Sequence, residues 1–261
     1  MSDRPADRRR LRIIGVGPGD PDQVTVEAIA AMRSVDFFLI VDKSGVSTDG
    51  PDPLVAARER LLARHLDEPP TLVRVSDASR ERRAQFTGTD EQYRAAVRAW
   101  HEARVDKYLD ALAEHAGDVG FLVWGDPAFY DSTIRIVDQI AERTDVQVDV
   151  IPGISALQLL AARHRLVLHG VGRPLHVTTG RALAEAVDGG ADNIVVMLNR
   201  DVALRGLDDW WIWWGGNLGT ADEILVAGRV GDVRAEIANA RGTLREKAGW
   251  MMDVFLLRKD A

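Results

Sequence analysis

Three loops marked by glycine and proline carry the residues whose types and spacing suit chemistry. The first, Gly15-Val16-Gly17-Pro18-Gly19-Asp20-Pro21, follows a short apolar run, where loops at the carboxyl ends of parallel strands commonly touch ligands. It departs from a dinucleotide-binding fingerprint, because its third glycine comes one residue early and two prolines and two aspartates crowd the turn. Prolines remove N–H donors and aspartates repel phosphate, so a nucleotide phosphate is the wrong guest. The second, Gly125-Asp126-Pro127-Ala128-Phe129-Tyr130, offers a carboxylate that can accept from an amine or a ribose hydroxyl, or simply cap the following helix through Asp126 or Asp131. The third, Ile151-Pro152-Gly153-Ile154-Ser155-Ala156, has the same two readings, since Ser155 can cap a helix starting at Ala156.

Other chemistries find less support. Cysteine is absent, which removes disulfides, thiol nucleophiles and Cys-based metal sites and suits a reducing cytoplasm. The six histidines show no H-E-x-x-H spacing and no metal is expected; His101 and His164 read as packed or solvated side chains. No G-x-S-x-G elbow appears, so acyl-enzyme chemistry has no basis. Four indoles crowd Trp210 to Trp214; they could stack on a flat ligand, but a strand filling both faces of a sheet, or a dimer surface, is the better reading.

Elements must hold these loops in place. Leu11 to Val16, Val35 to Val41, Thr71 to Val75, Gly120 to Trp124 and Val146 to Val150 read as strands. Between them Thr25 to Arg33 (Val26, Ile29 and Ala30 at helical spacing), Leu54 to His65, Glu91 to Glu114 (stripe Tyr93, Val97, Trp100, Tyr108, Leu112) and the stretch marked by Ile134, Val137 and Ile140 read as helices. That alternation predicts a mostly parallel sheet. After Ile151-Pro152-Gly153 the pattern restarts, with extended pieces at Leu175 to Thr179, Asn193 to Leu198, Trp210 to Trp214, Glu223 to Val230 and Trp250 to Leu257, and helices at Leu157 to Arg163, Arg181 to Val187 and Asp232 to Ala240. The expectation is a polar leader over 1–10, an α/β domain over 11–150, a second over 151–261, and a ligand cleft where they meet. The 261 residues, 33 basic against 40 acidic (net charge −7), disfavour a nucleic-acid coat, and no apolar run approaches bilayer-spanning length, so neither nucleic acid nor membrane is an expected partner.

Taken together, G-x-G-P-G-D-P, G-D-P-x-x-Y about 110 residues later and P-G-I-S-A about 25 after that resemble the S-adenosylmethionine-dependent tetrapyrrole (corrin/porphyrin) methyltransferases, from about Leu11 to Arg258. The resemblance implies two α/β domains of the class III methyltransferase type, a tetrapyrrole substrate and a homodimer. It implies a methyl-donor site lined by Pro18, Trp124, Gly125, Asp126, Phe129, Ser155, Ala156, Met197 and Gly219, with Gly17, Asp20, Tyr130 and Arg135 toward the substrate. The segments F-F-L-I-V-D-K-S-G, A-A-R-H-R, L-G-T-A-D-E-I-L-V-A-G-R and G-W-M-M-D-V-F-L-L-R point to a corrin-pathway branch that couples C-methylation to loss of acetate. That chemistry needs a base to activate water, for which Asp20 and Asp42 are candidates, and Lys43 can pair with a carbonyl oxygen as it becomes anionic. Carboxylate-rich substrates call for arginine, and Arg80, Arg82, Arg83 and Arg135 are the candidates. Most relatives carry Gly after the Phe/Tyr of the second motif, where this chain has Asp131. Alternatives are another methyltransferase of the same fold or a tetrapyrrole or nucleotide carrier.

Overall fold

The computed structural model describes residues 8–42, 53–76, 90–202, 204–248 and 251–259, and of Asp42 only the backbone. Lys43, Arg80, Arg82 and Arg83 lie outside the described residues, as does the side chain of Tyr93. The chain forms two compact units, one comprising residues 1–17 and 24–153 and the other 18–23 and 154–261. Pro18 to Gln23, in the middle of the first motif, thus belongs to the second unit.

The first unit is built on a five-stranded sheet of β1 (Arg9–Gly15), β2 (Phe37–Asp42), β3 (Thr71–Ser76), β4 (Val119–Val123) and β5 (Val146–Ile151), in the order β3-β2-β4-β1-β5 with every pairing parallel. Helices α1 (Val26–Met32), α2 (Pro53–His65), α3 (Asp90–Glu114) and α4 (Thr133–Ala141) connect them. Side chains alternate across the strands. Leu11, Ile13, Phe37 and Leu39 pack with Tyr108, Leu112, Ile136 and Ile140 of α3 and α4, while Ile14, Phe38 and Ile40 pack with Met32, Leu61 and Leu62 of α1 and α2. Burial on both faces is why the strands read as continuous apolar runs.

The start of β1 and the buried face of α1 differ from the sequence reading. β1 begins at Arg9, because Arg9 donates to the carbonyls of Leu112 and His115, and Arg10 Nε lies 3.0 Å from Asp118 Oδ2, so polar residues find partners at the strand's entrance. In α1 the buried face is Ala28, Ala31 and Met32, while Val26 is 84% exposed; the Thr25 cap, whose Oγ1 accepts from Ala28 N at 3.0 Å, fixes the start of the helix and leaves Val26 in its first turn outside the core.

The second unit has a mixed sheet of β6 (His176–Thr179), β7 (Asn193–Met197), β8 (Trp211–Gly216), β9 (Ile224–Arg229) and β10 (Asp253–Arg258), ordered β6-β7-β10-β8-β9; only β6 and β7 run parallel. α6 (Leu183–Asp188) and α7 (Val230–Ala248) cover one face, and α5 (Ala156–His164) the other. The Trp-rich segment is an interior strand. Ile212 and Trp214 enter the core beneath α6 and α7, and Trp213 packs on the α5 side. Of the readings open at the start, the strand filling both faces is the one observed. No helix among the described residues is long and apolar enough to cross a membrane.

Candidate functional site

In the first unit the three motifs meet through backbone. Gly17 and Gly125 form an antiparallel bridge, with Gly125 N donating to Gly17 O at 2.8 Å and Gly17 N to Gly125 O at 3.3 Å. A Cβ on Gly15 would lie 2.6 Å from Gly153 N, and one on Gly153 would lie 2.1 Å from Gly125 O. The glycines therefore serve backbone-to-backbone packing of the strand ends. Asp126 completes the tie: Oδ1 accepts from Ala128 N at 2.8 Å and Oδ2 from Gly153 N at 2.9 Å. Each oxygen keeps a second lone pair, so the carboxylate can still receive a ligand donor.

Asp131, which follows Tyr130 in the second motif, has a visible task. Asp131 Oδ1 accepts from Thr133 N at 2.6 Å at the entrance of α4, and the left-handed conformation falls on Tyr130, with φ of 52°. A non-glycine residue there stores roughly 1–2 kcal/mol of strain. Tyr130 remains 43% exposed, and partial burial raises its hydroxyl pKa. Arg135 is exposed on α4 and its Nη2 reaches the Asp131 carbonyl at 3.2 Å.

In the second unit the end of the first motif packs on the turn after β8. A Cβ on Gly19 would lie 2.7 Å from Leu218 O, and one on Gly219, whose φ is 78°, would lie 3.0 Å from Asp20 N. Gly19 and Asp20 are thereby neighbours of Gly219, some 200 positions away in sequence. Asp20 Oδ1 accepts from Asp22 N at 2.9 Å, and Glu223 holds both Gly219 N (2.7 Å) and Arg163 Nε (2.7 Å). Ser155 caps α5 in a capping box: Gln158 N donates to its Oγ at 3.4 Å and Ser155 N to Gln158 Oε1 at 2.8 Å, an arrangement worth about 1 kcal/mol. Ala156 and Met197 pack beside the α5 core. His164 is structural, its Nε2 lying 3.0 Å from Trp214 O; burial lowers its pKa against the opposing pull of that carbonyl and of Glu223.

Other features had no signal in spacing. Leu198 follows Met197 in the left-handed region (φ 54°) and is 61% exposed. Arg241 and Asp253 form an ion pair at 2.8 Å, 5% and 1% exposed. Arg58 and Arg104, from α2 and α3, line one cavity with Trp124, and Arg135 is not among its lining residues.

A twofold sheet architecture with three glycine motifs at strand ends defines a class, and residues 10–234 match the Tetrapyrrole (Corrin/Porphyrin) Methylases. The chain belongs to that family. It is 40% identical over 263 residues to the precorrin-6A synthase [deacetylating] of a Sinorhizobium species, covering 98% of this chain and 97% of the relative. Among solved structures, a cobalamin synthesis related protein (CobF) from Corynebacterium diphtheriae superposes with a TM-score of 0.79 at 33% identity, over 97% of this chain and 99% of that one. The uroporphyrin-III C-methyltransferase of Thermus thermophilus, solved in complex with S-adenyl homocysteine, shares the fold with a TM-score of 0.55 at 20% identity, over 96% and 92%.

Proposed function

We propose that this chain transfers a methyl group from S-adenosylmethionine to C1 of precorrin-5 with release of acetate, the precorrin-6A synthase (deacetylating) reaction of aerobic cobalamin biosynthesis. The observation that carries the reading is the 40% identity, over nearly the whole of both chains, to a relative so named. The residues present suit a cationic, nucleoside-bearing donor. The carboxylates Asp20 and Asp126 complement its positive charge, and the exposed apolar side chains of Phe129 and Leu198, 36% and 61% accessible, offer surface to a purine or a thioether chain. We assign the donor to Pro18, Trp124, Gly125, Asp126, Phe129, Ser155, Ala156, Met197 and Gly219, and the substrate to Gly17, Asp20, Tyr130 and Arg135.

When bound, the donor supplies an electrophilic methyl, and the protein's part is alignment. The deacetylation asks more of the chain. Water must lose a proton as it adds to the acetyl carbonyl; acetate then leaves, and the electron pair left at C1 takes the methyl. Asp20 is one base for that water, since Oδ1 is engaged by Asp22 N and Oδ2 remains to take the proton. Asp42, at the carboxyl end of β2, is the second candidate, and the following Lys43 would stabilise the developing oxyanion. The enzyme is assigned to the cytoplasm, which its cysteine-free sequence suits, as a homodimer that light scattering would register as twice the 28.7 kDa chain mass.

Anaerobic incubation with precorrin-5 and methyl-labelled S-adenosylmethionine should yield acetate and labelled corrinoid in equal amounts. Labelled product without acetate would move the enzyme to another step of the pathway, and neither product, with no binding of S-adenosylhomocysteine, would leave a carrier. In the same assay Asp20→Asn or Asp42→Asn should slow acetate release; full release by both variants would remove both as bases.

A further inference from the structure

The turn that follows β8 is closed largely by its own backbone. Asn217 is buried with φ of 47°, and its carbonyl accepts from Thr220 N at 3.1 Å and Thr220 Oγ1 at 2.8 Å, while Glu223 N donates to Thr220 O at 3.2 Å. Gly219 N is met differently. Held at φ 78°, Gly219 donates to a carboxylate, Glu223 Oε2, at 2.7 Å. A neutral acceptor would satisfy that N–H, but an ionised one makes a shorter and stronger bond. Glu223 Oε1 is itself held by Arg163 Nε at 2.7 Å, and Arg163 stands in the last turn of α5. The carboxylate therefore cannot swing away from Gly219 without also releasing α5.

What lies against Gly219 extends the reach of that bond beyond the turn. A Cβ on Gly219 would lie 3.0 Å from Asp20 N and 3.3 Å from Gly19 N, and one on Gly19 would lie 2.7 Å from Leu218 O and 3.0 Å from Gly219 C. Backbone rests on backbone from both directions, with no side chain between to absorb a shift. The first-motif side of the contact is tied within itself, since Asp22 N donates to Asp20 Oδ1 at 2.9 Å and Gln23 N to Asp20 O at 2.9 Å. A displacement of Gly219 is thus passed to Gly19 and Asp20. The ion pair contributes little to folding by itself, because the Arg163 and Glu223 side chains are 37% and 19% exposed. Its value is geometric: it aims one carboxylate oxygen at one N–H.

We propose that Glu223 is a positioning residue of the methyl-donor site. Its carboxylate, anchored by Arg163, fixes Gly219 N and with it the backbone surface formed by Gly219, Gly19 and Asp20. The inference rests on the assignment of Gly219 to the donor above, and Glu223 acts through Gly219 without a donor contact of its own.

S-adenosylhomocysteine is titrated by calorimetry into the full-length protein and into Glu223→Ala, Glu223→Gln and Arg163→Met, each well below its melting midpoint, and KM for S-adenosylmethionine is taken from the labelled assay. In fully folded protein a merely structural role would leave both constants unmoved. Glu223→Ala strands Gly219 N, so Kd and KM should each rise about tenfold, the effect of losing one charge-assisted hydrogen bond. Glu223→Gln keeps an oxygen for Gly219 N, and Arg163→Met keeps the whole carboxylate. Both lose the ion pair, yet both should bind within about threefold of wild type. Glu223→Asp keeps the charge but draws the carboxylate back by a methylene; it should weaken binding as alanine does, and it decides the matter if the alanine variant does not fold. Wild-type Kd and KM in Glu223→Ala and Glu223→Asp would overturn the proposal and leave the methyltransferase reading intact. A glutamine variant as weak as the alanine one would also overturn it, because the charge and not the bond to Gly219 would then be what the donor needs. If the wild-type protein binds no S-adenosylhomocysteine, the donor reading falls and the proposal with it.

Discussion

Gly153→Ala should leave little native protein, lowering stability by more than ~4 kcal/mol and abolishing methyl transfer. The added Cβ would sit 2.1 Å from Gly125 O, 2.8 Å from Gly15 C and 2.9 Å from Gly15 Cα. All three neighbours are backbone, so no side-chain rotation relieves the overlap. Relief requires the end of β5 to move off β1, which also breaks the bond from Gly153 N to Asp126 Oδ2. With that bond goes the coupling of the second motif to the third, so structure and activity should fail together. Gly242→Ala on α7 is the control. A Cβ there has nothing within 4 Å, and replacing a mid-helix glycine by alanine should raise stability by about 0.5–1 kcal/mol. Soluble yield, thermal melting and methyl transfer measured on both variants read out the opposite signs. Wild-type melting and activity in Gly153→Ala would mean that the three strand ends are not packed through glycine.

The parallel sheet of the first unit was legible because its strands are buried on both faces: Phe37-Phe38-Leu39-Ile40 reads as strand whichever face each side chain takes. Strand ends were legible only where no polar residue intrudes. Arg9 and Arg10 extend β1 because carbonyls of α3 and Asp118 receive them, partners more than 100 residues away that no local window can contain. α7 runs past the expected end at Ala240 to Ala248 for a similar reason: the next inward position is held by Arg241, a charge on the apolar stripe between Ile237 and Leu244. The motifs marked the strand ends, and the sequence left Asp126 open between a ligand and a local cap; its bonds to Ala128 N and Gly153 N, the second across 27 residues, are seen only in the fold. Arg58 and Arg104 lay on two helices 46 positions apart, and only the splaying of β2 from β4 brings them to one cavity. Arg135, the arginine nearest the second motif, is exposed and its Nη2 reaches the Asp131 carbonyl.

Arg241→Met should destabilise the second unit by ~3–5 kcal/mol, the scale for removing one partner of a buried ion pair. The pair is buried almost completely, and its guanidinium does more than neutralise Asp253: Nη2 donates to the carbonyls of Arg200 at 2.8 Å and Asn199 at 3.4 Å. Those carbonyls follow Leu198, so the same side chain closes the loop that leaves β7 at Met197 and carries the exposed Leu198. In the variant Asp253 keeps the Trp214 indole, whose Nε1 donates to Oδ2 at 2.9 Å, and the influence of the Asn199 side chain and the more distant Arg245, but loses its contact cation. Burial holds the Asp253 carboxyl above its ordinary pKa even beside Arg241, and losing the cation must raise it further. A raised folded-state pKa means that the native variant takes up a proton the unfolded chain gives up, so its stability recovers as pH falls toward the ordinary carboxylate range. The stability gap from wild type should therefore be widest near neutrality and narrow on acidification. Asp253→Asn combined with Arg241→Met should restore part of the loss, because it removes the buried charge rather than stranding it. Urea unfolding followed by tryptophan fluorescence suits the measurement, since Trp210, Trp211, Trp213 and Trp214 all belong to the second unit. A midpoint unchanged from wild type at neutral pH, or a gap that widens with acid, would show that the pair is not what holds this loop.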